Sequence, residues 1–144
     1  MEISKELLSE VLGEDVRLGV YTTVESDEDE LVQHIMKIEI YGNRVSYWRY
    51  YKECGDDRTM CKSNINIYEL AFKLKEWAFS EGYQLEISRY WNIPTYYCKI
   101  VMRGGDFCEE CGESRAIYEL EDLREIDIVV KACEYILKEI NGSK

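Results

Sequence analysis

The chain has one proline and one histidine in 144 residues, and no apolar run that approaches the ~20 residues needed to cross a bilayer. With no Pro- or Ser-rich stretch, repeat or low-complexity segment, nothing in the composition marks a boundary. The opening residues, MEISKELLSE, lack the basic and then apolar layout of a secretory signal, so a cytoplasmic protein is expected. Basic residues are also scarce. Eighteen Lys and Arg stand against 29 Asp and Glu, a formal charge of -11, which opposes general attraction to phosphate backbones or anionic lipid. Neither nucleic acid nor a membrane is therefore an expected partner. The lone His34 has no nucleophile or acid near it in a recognisable catalytic spacing and reads as a structural residue beside a strand. No enzyme is expected.

What is present suffices for a core: 46% of residues are hydrophobic and 33% charged, unlike a disordered chain. Leu7, Leu8, Val11 and Leu12 fall at helical spacing after Ser4, and Gly13 is a suitable stop. Residues 16–24 are rich in β-branched and aromatic types and read as a strand. Met36, Ile38 and Ile40 alternate with Lys37 and Glu39, and Gly42-Asn43 then predicts a tight hairpin into residues 45–51. A second helix is expected over 66–82, where Ile67, Leu70, Ala71, Leu74, Trp77 and Ala78 form one apolar stripe between an Asn64 or Asn66 cap and Gly82. Strands are expected at 83–91, 95–102 and 115–120, and a third helix at 125–140 with the stripe Ile128, Val129, Ala132, Cys133, Ile136, Leu137 and Ile140. The whole reads as α+β, a single domain over 1–144, with an antiparallel sheet of about five to six strands packed with three helices.

Three features carry the functional expectations. Cys108-Glu109-Glu110-Cys111-Gly112 is a C-x-x-C turn able to present two thiolates to one ion, and Cys54 with Cys61 is the other cysteine pair expected in a loop. Cys54, Cys61, Cys108 and Cys111 are thus a candidate zinc set, with reduced, exposed thiols as one alternative and a disulfide or redox pair of Cys108 and Cys111 as another. Cys98 and Cys133 read as core. The second feature is charge: residues 1–30 carry a net -8, 31–103 a net +3 and 104–144 a net -6. Glu25, Asp27, Glu28, Asp29 and Glu30, with Glu109 and Glu110, could imitate a row of phosphates and engage a basic surface on another protein; a solvated turn is the plainer alternative. Third, Tyr47, Trp48, Arg49, Tyr50, Tyr51 and Lys52 crowd one strand, and Arg89, Tyr90 and Trp91 end another. Aromatic rings beside guanidinium groups suit nucleotides, although alternate strand residues point to opposite faces and half of these rings are expected in the core.

Residues 64–140 resemble small, uncharacterised proteins of phages and prophages, of the phage α-β-α sandwich type. The resemblance lies in the central helix with Tyr68-Glu69-Leu70-Ala71, two strands after it, and the closing helix Val129-Val130-Lys131-Ala132-Cys133-Glu134-Tyr135-Ile136-Leu137. It does not extend to the first 60 residues or to the cysteine-rich loop. The resemblance implies a phage setting and an α+β fold, and it supplies no catalytic residues. Together these features lead to the expectation of a non-enzymatic, acidic protein that binds, and by binding inhibits, a host or phage protein with a basic surface, such as a nuclease or defence complex. The alternative is a small-molecule or nucleotide-binding module that uses the Arg/aromatic strand surface.

Overall fold

A computed structural model of the chain describes residues 1–24, 31–51, 59–89, 91–103, 116, 118–122 and 124–142. Among the described residues there are three helices and nine strands, the strands paired antiparallel in three sheets, so the fold is α+β. Two compact units are recognisable, Met1–Asn66 and Ile67–Lys144. The division falls at a strand–helix junction with no linker composition, which is why nothing in the sequence announces it. Among the described residues no helix is long and apolar enough to cross a membrane.

The first unit begins with helix α1, Lys5–Leu12. Both of its ends are set by local chemistry. The Ser4 hydroxyl accepts the Leu7 amide at 3.1 Å, and Gly13 (φ 67°) takes the left-handed conformation that lets its own N–H reach the Ser9 carbonyl at 2.9 Å. Removing the cap by Ser4→Ala should cost about 1 kcal/mol in denaturant unfolding, with the helix otherwise intact.

The strands that follow are β1 (Val16–Arg17), β2 (Val20–Val24), β3 (Leu31–Ile35), β4 (Ile40–Tyr41), β5 (Arg44–Tyr51) and β6 (Thr59–Asn66). β5 is the centre of one sheet, with β6 along one side and β1 and β4 sharing the other. β2 and β3 form a separate two-stranded ribbon. The single strand expected over 16–24 is therefore two, broken at Leu18-Gly19, where the chain leaves one sheet for the other. Gly19 sits so close to its neighbours that a Cβ there would lie 3.0 Å from Met36 Sδ. The Gly42-Asn43 hairpin forms as expected, with Gly42 at φ 56°, but only Ile40 and Tyr41 of the preceding alternating run are strand. Met36 is exposed, whereas Ile38 and Ile40 are buried. Of the two residues expected to cap the second helix, Asn64 lies within β6, and Asn66, the last residue of β6, stands directly before the first residue of α2.

Cross-strand pairing sorts the β1-β4-β5-β6 sheet into two faces. Val16, Arg49 and Cys61 share a row, as do Ile40, Val45 and Ile65, and this face, with Tyr47, holds buried side chains. Burying four aliphatic residues of this kind contributes ~1.5–3 kcal/mol apiece. Leu7 and Leu8 of α1 are buried in the same unit.

The second unit is the meander β7 (Tyr83–Arg89), β8 (Tyr96–Met102) and β9 (Tyr118–Asp122), covered by helices α2 (Ile67–Ser80) and α3 (Glu125–Gly142). Residues 115 and 117, at the start of the third expected strand, lie outside the described residues. α2 ends at Ser80, and the turn that follows it contains Gly82 at φ 94°. Its stripe of Ile67, Leu70, Leu74, Trp77 and Ala78 is buried, as are Ile128, Val129, Ala132, Cys133, Ile136 and Leu137 of α3. On the sheet, Leu85 and Ile100 are paired, and Cys98 lies between Ile87 and Leu120. The opposite face carries Lys99 between Glu86 and Glu119. Lys75 and Glu125 tie the two helices at 2.7 Å, Lys131 pairs with Asp122, and the Tyr118 ring stacks on Tyr135 at 4.2 Å.

Candidate functional site

Of the candidate metal ligands, Cys54, Cys108 and Cys111 lie outside the described residues. Cys61 is half-buried on β6, not in a loop, because residues 59–66 pair along the whole of β5. Among the described residues no three His, Cys, Asp or Glu side chains gather around one point. Cys98 and Cys133 are fully buried core thiols. Burial pushes Cys98 up to about 11 and Cys133 higher still, and Cys133 Sγ donates to the Leu74 carbonyl at 3.5 Å. Both are therefore protonated at neutral pH and unsuited to nucleophilic or metal chemistry.

The acidic candidates Glu25, Asp27, Glu28, Asp29 and Glu30, together with Glu109 and Glu110, also lie outside the described residues. Covalently, residues 25–30 join Val24 of β2 to Leu31 of β3, so the acidic run is the connector of the two-stranded ribbon. The register divides that ribbon cleanly. On one face Tyr21 stacks on His34 at 4.9 Å, and the Thr23 hydroxyl lies 2.8 Å from His34 Nε2, so the lone histidine is held as a structural member of the ribbon. The other face pairs Val20 with Ile35, Thr22 with Gln33 and Val24 with Leu31. Its four aliphatic side chains are 59%, 67%, 59% and 72% exposed, in the order Val20, Ile35, Val24, Leu31. An isolated two-stranded ribbon is marginal in water, and two exposed aliphatic pairs on one of its faces, on either side of Thr22 and Gln33, favour a covered state.

The aromatic strand is divided by the same alternation. Tyr47 is buried, and its hydroxyl donates to Glu14 Oε2 at 3.2 Å; Glu14 also receives Arg49 at 3.6 Å, while Arg49 Nε donates to Ser63 Oγ at 2.8 Å. That network is internal support. Trp48 and Tyr50 point the other way, half-buried, into company the sequence did not single out. Arg17, Trp48 and Lys62 stand in one cross-strand row, with the Lys62 ammonium 6.0 Å from the Trp48 ring centre and the Arg17 guanidinium 5.0 Å from that of Tyr50.

Above this row lies a cavity of about 230 Å³, closed on its other sides by Gly19 and by the segment Met36–Glu39 that connects the ribbon to β4. Asp15 grips Arg17 at 2.8 Å and holds its guanidinium above the ordinary value; Glu39 likewise raises the Tyr41 phenol through a hydrogen bond. Lys37 meets Glu2 at 3.3 Å on the open surface. Of the second aromatic group, Tyr90 lies outside the described residues, Trp91 is almost wholly exposed, and Arg89 lies over Tyr96 at 5.2 Å. Arg17, Lys37 and Lys62 come from separate stretches of chain, and a signal for them existed only in the positive balance of residues 31–103 and in the strand period.

Comparison of the chain with protein-family models, with curated proteins and with solved structures gives no match.

Proposed function

We propose that this is a non-enzymatic binding protein of phage type whose contact element is the β2–β3 ribbon, docking on a host protein complex, such as a nuclease or defence factor, and blocking its basic surface. The observation that carries the reading is the ribbon's exposed face of Val20, Val24, Leu31 and Ile35. Charge complementarity supports the choice of occupant. Five of the six residues that connect the strands are acids, so the cleft that receives the aliphatic face needs a basic rim. A second copy of this chain is a poor occupant, since each copy carries -11 and would bring a like-charged connector to the contact. The resemblance of residues 64–140 to phage proteins supports the setting, and the absence of a recognisable catalytic set supports a stoichiometric mode of action.

Two variants separate the parts of this reading. With the host complex captured by the wild-type chain as the analyte, Leu31→Asp with Ile35→Asp should abolish binding, because charge would be buried against apolar groups. Replacing Glu25, Asp27, Glu28, Asp29 and Glu30 by Gln or Asn should instead slow association and flatten its salt dependence. The Leu31 and Ile35 changes should lower stability by no more than about 1 kcal/mol, since both side chains are exposed. Capture that survives both variants unchanged would rule the ribbon out as the contact element.

A further inference from the structure

We propose that the cavity lined by Trp48 is a binding site for a small ligand made of one planar ring system and one anionic group, of which a nucleoside monophosphate is the representative. The site is distinct in residues from the aliphatic face of the ribbon, and neither proposal depends on the other.

The first argument is local charge. Among the described residues, Arg17, Lys37 and Lys62 line the cavity against one carboxylate, Glu39, in a chain whose net charge is -11. A pocket whose sign is opposite to that of the molecule concentrates positive potential locally on a protein that is acidic as a whole. The three cations differ in availability. Arg17 is committed to Asp15, which it meets through Nε at 2.8 Å and Nη2 at 3.2 Å. Lys37 is paired with Glu2 at 3.3 Å, but with side chains 72% and 52% exposed that pair is weak and exchangeable. Lys62 meets no carboxylate among the described residues and reaches instead over the Trp48 ring. An anion at the mouth would therefore be received by Lys62 and Lys37, with Arg17 held as a fixed positive wall.

The second argument is shape. Trp48 supplies an indole surface and Met36 a soft thioether, both suited to a flat ring. Gly19 keeps that slot open: a Cβ there would stand 3.0 Å from Met36 Sδ and 3.3 Å from Trp48 Nε1. The cavity's 230 Å³ falls below the ~300–1,000 Å³ of sites for drug-sized ligands, so it suits one ring system with its anion at the opening, and excludes a dinucleotide. Ring and anion are both required, since the lining offers one surface for each.

The test is titration of the full chain carrying Trp91→Phe, which removes an indole that is 96% exposed, with fluorescence and calorimetry as readouts. The probes are the four common ribonucleoside monophosphates, adenosine, inorganic phosphate and indole-3-acetate. Saturable binding of a monophosphate, with adenosine and inorganic phosphate each at least roughly tenfold weaker, is the expected result. Lys62→Gln should weaken binding roughly tenfold at an unchanged melting temperature, and Trp48→Leu should weaken it at least as much. Should Trp48→Leu fail to fold, Lys62→Gln decides alone, because its side chain lies on the surface. Saturation by indole-3-acetate and not by the monophosphates would support the ring-plus-anion site with a carboxylate in place of the phosphate. No saturation by any probe at millimolar concentration, equal affinity for inorganic phosphate, or indifference to Lys62→Gln would overturn the proposal.

Discussion

Leu74→Ala and Ile136→Ala should each lower the unfolding free energy by about 2–5 kcal/mol. Both side chains are completely buried, Leu74 on α2 and Ile136 on α3, and these helices pack on each other and on the β7-β8-β9 sheet. Each truncation removes three carbon atoms from water-free surroundings and leaves a void that the backbone of two packed helices can close only in part. A cost of this size is a large fraction of the ~5–15 kcal/mol that holds a typical domain folded. Urea unfolding followed by circular dichroism checks it. A loss below about half a kcal/mol would be the behaviour of a surface position and would place the residue outside the core.

The buried thiols should be the least reactive cysteines in the folded chain and should give it an alkaline limb of instability. Cys98 and Cys133 can meet an alkylating reagent only when the second unit opens, so peptide mapping at pH 8 should find them modified at least ~10³-fold more slowly than half-buried Cys61. The pH dependence has a definite sign. In the folded chain burial raises Cys98 to about 11 from an ordinary 9.0, whereas in the unfolded chain the thiol ionises near its ordinary value. The unfolded state loses its proton first, so stability is fully present below the unfolded value and declines as pH rises toward about 11. Cys133 extends the limb upward for the same reason. Cys98→Ala with Cys133→Ala should flatten the slope of unfolding free energy against pH above 9, whatever the variant costs in packing. A slope unchanged by the double variant would assign the alkaline loss to other groups.

The sequence alone determined the three helices and their buried sides, because the signals are local. The apolar spacing of Leu70, Leu74, Trp77 and Ala78 needs only the helical period, Ser4 and Gly13 act within one turn of α1, and Gly82 adopts positive φ wherever a helix must stop. The same holds for the Gly42-Asn43 hairpin, the central meander strands and the core places of Cys98 and Cys133. It also determined that the chain is acidic, with five carboxylates crowded between Val24 and Leu31.

Only the tertiary structure decided which strands pair with which. Residues 59–66 become β6 because β5 offers a full-length partner, and strand preference depends on such partners more than on the residues themselves. The break at Leu18-Gly19, the ribbon's second strand Leu31–Ile35 and the strand position of Cys61 follow from pairing in the same way. A period of two could say that Tyr47 and Trp48 face opposite ways, but not which one is buried. The row Arg17–Trp48–Lys62 spans 45 residues of sequence and exists only because two registers align on one tryptophan. Local propensity acts over a few residues, whereas a cavity whose charge is opposite to that of its chain is assembled from distant ones, and cross-strand hydrogen bonding is the interaction that brings them into one place.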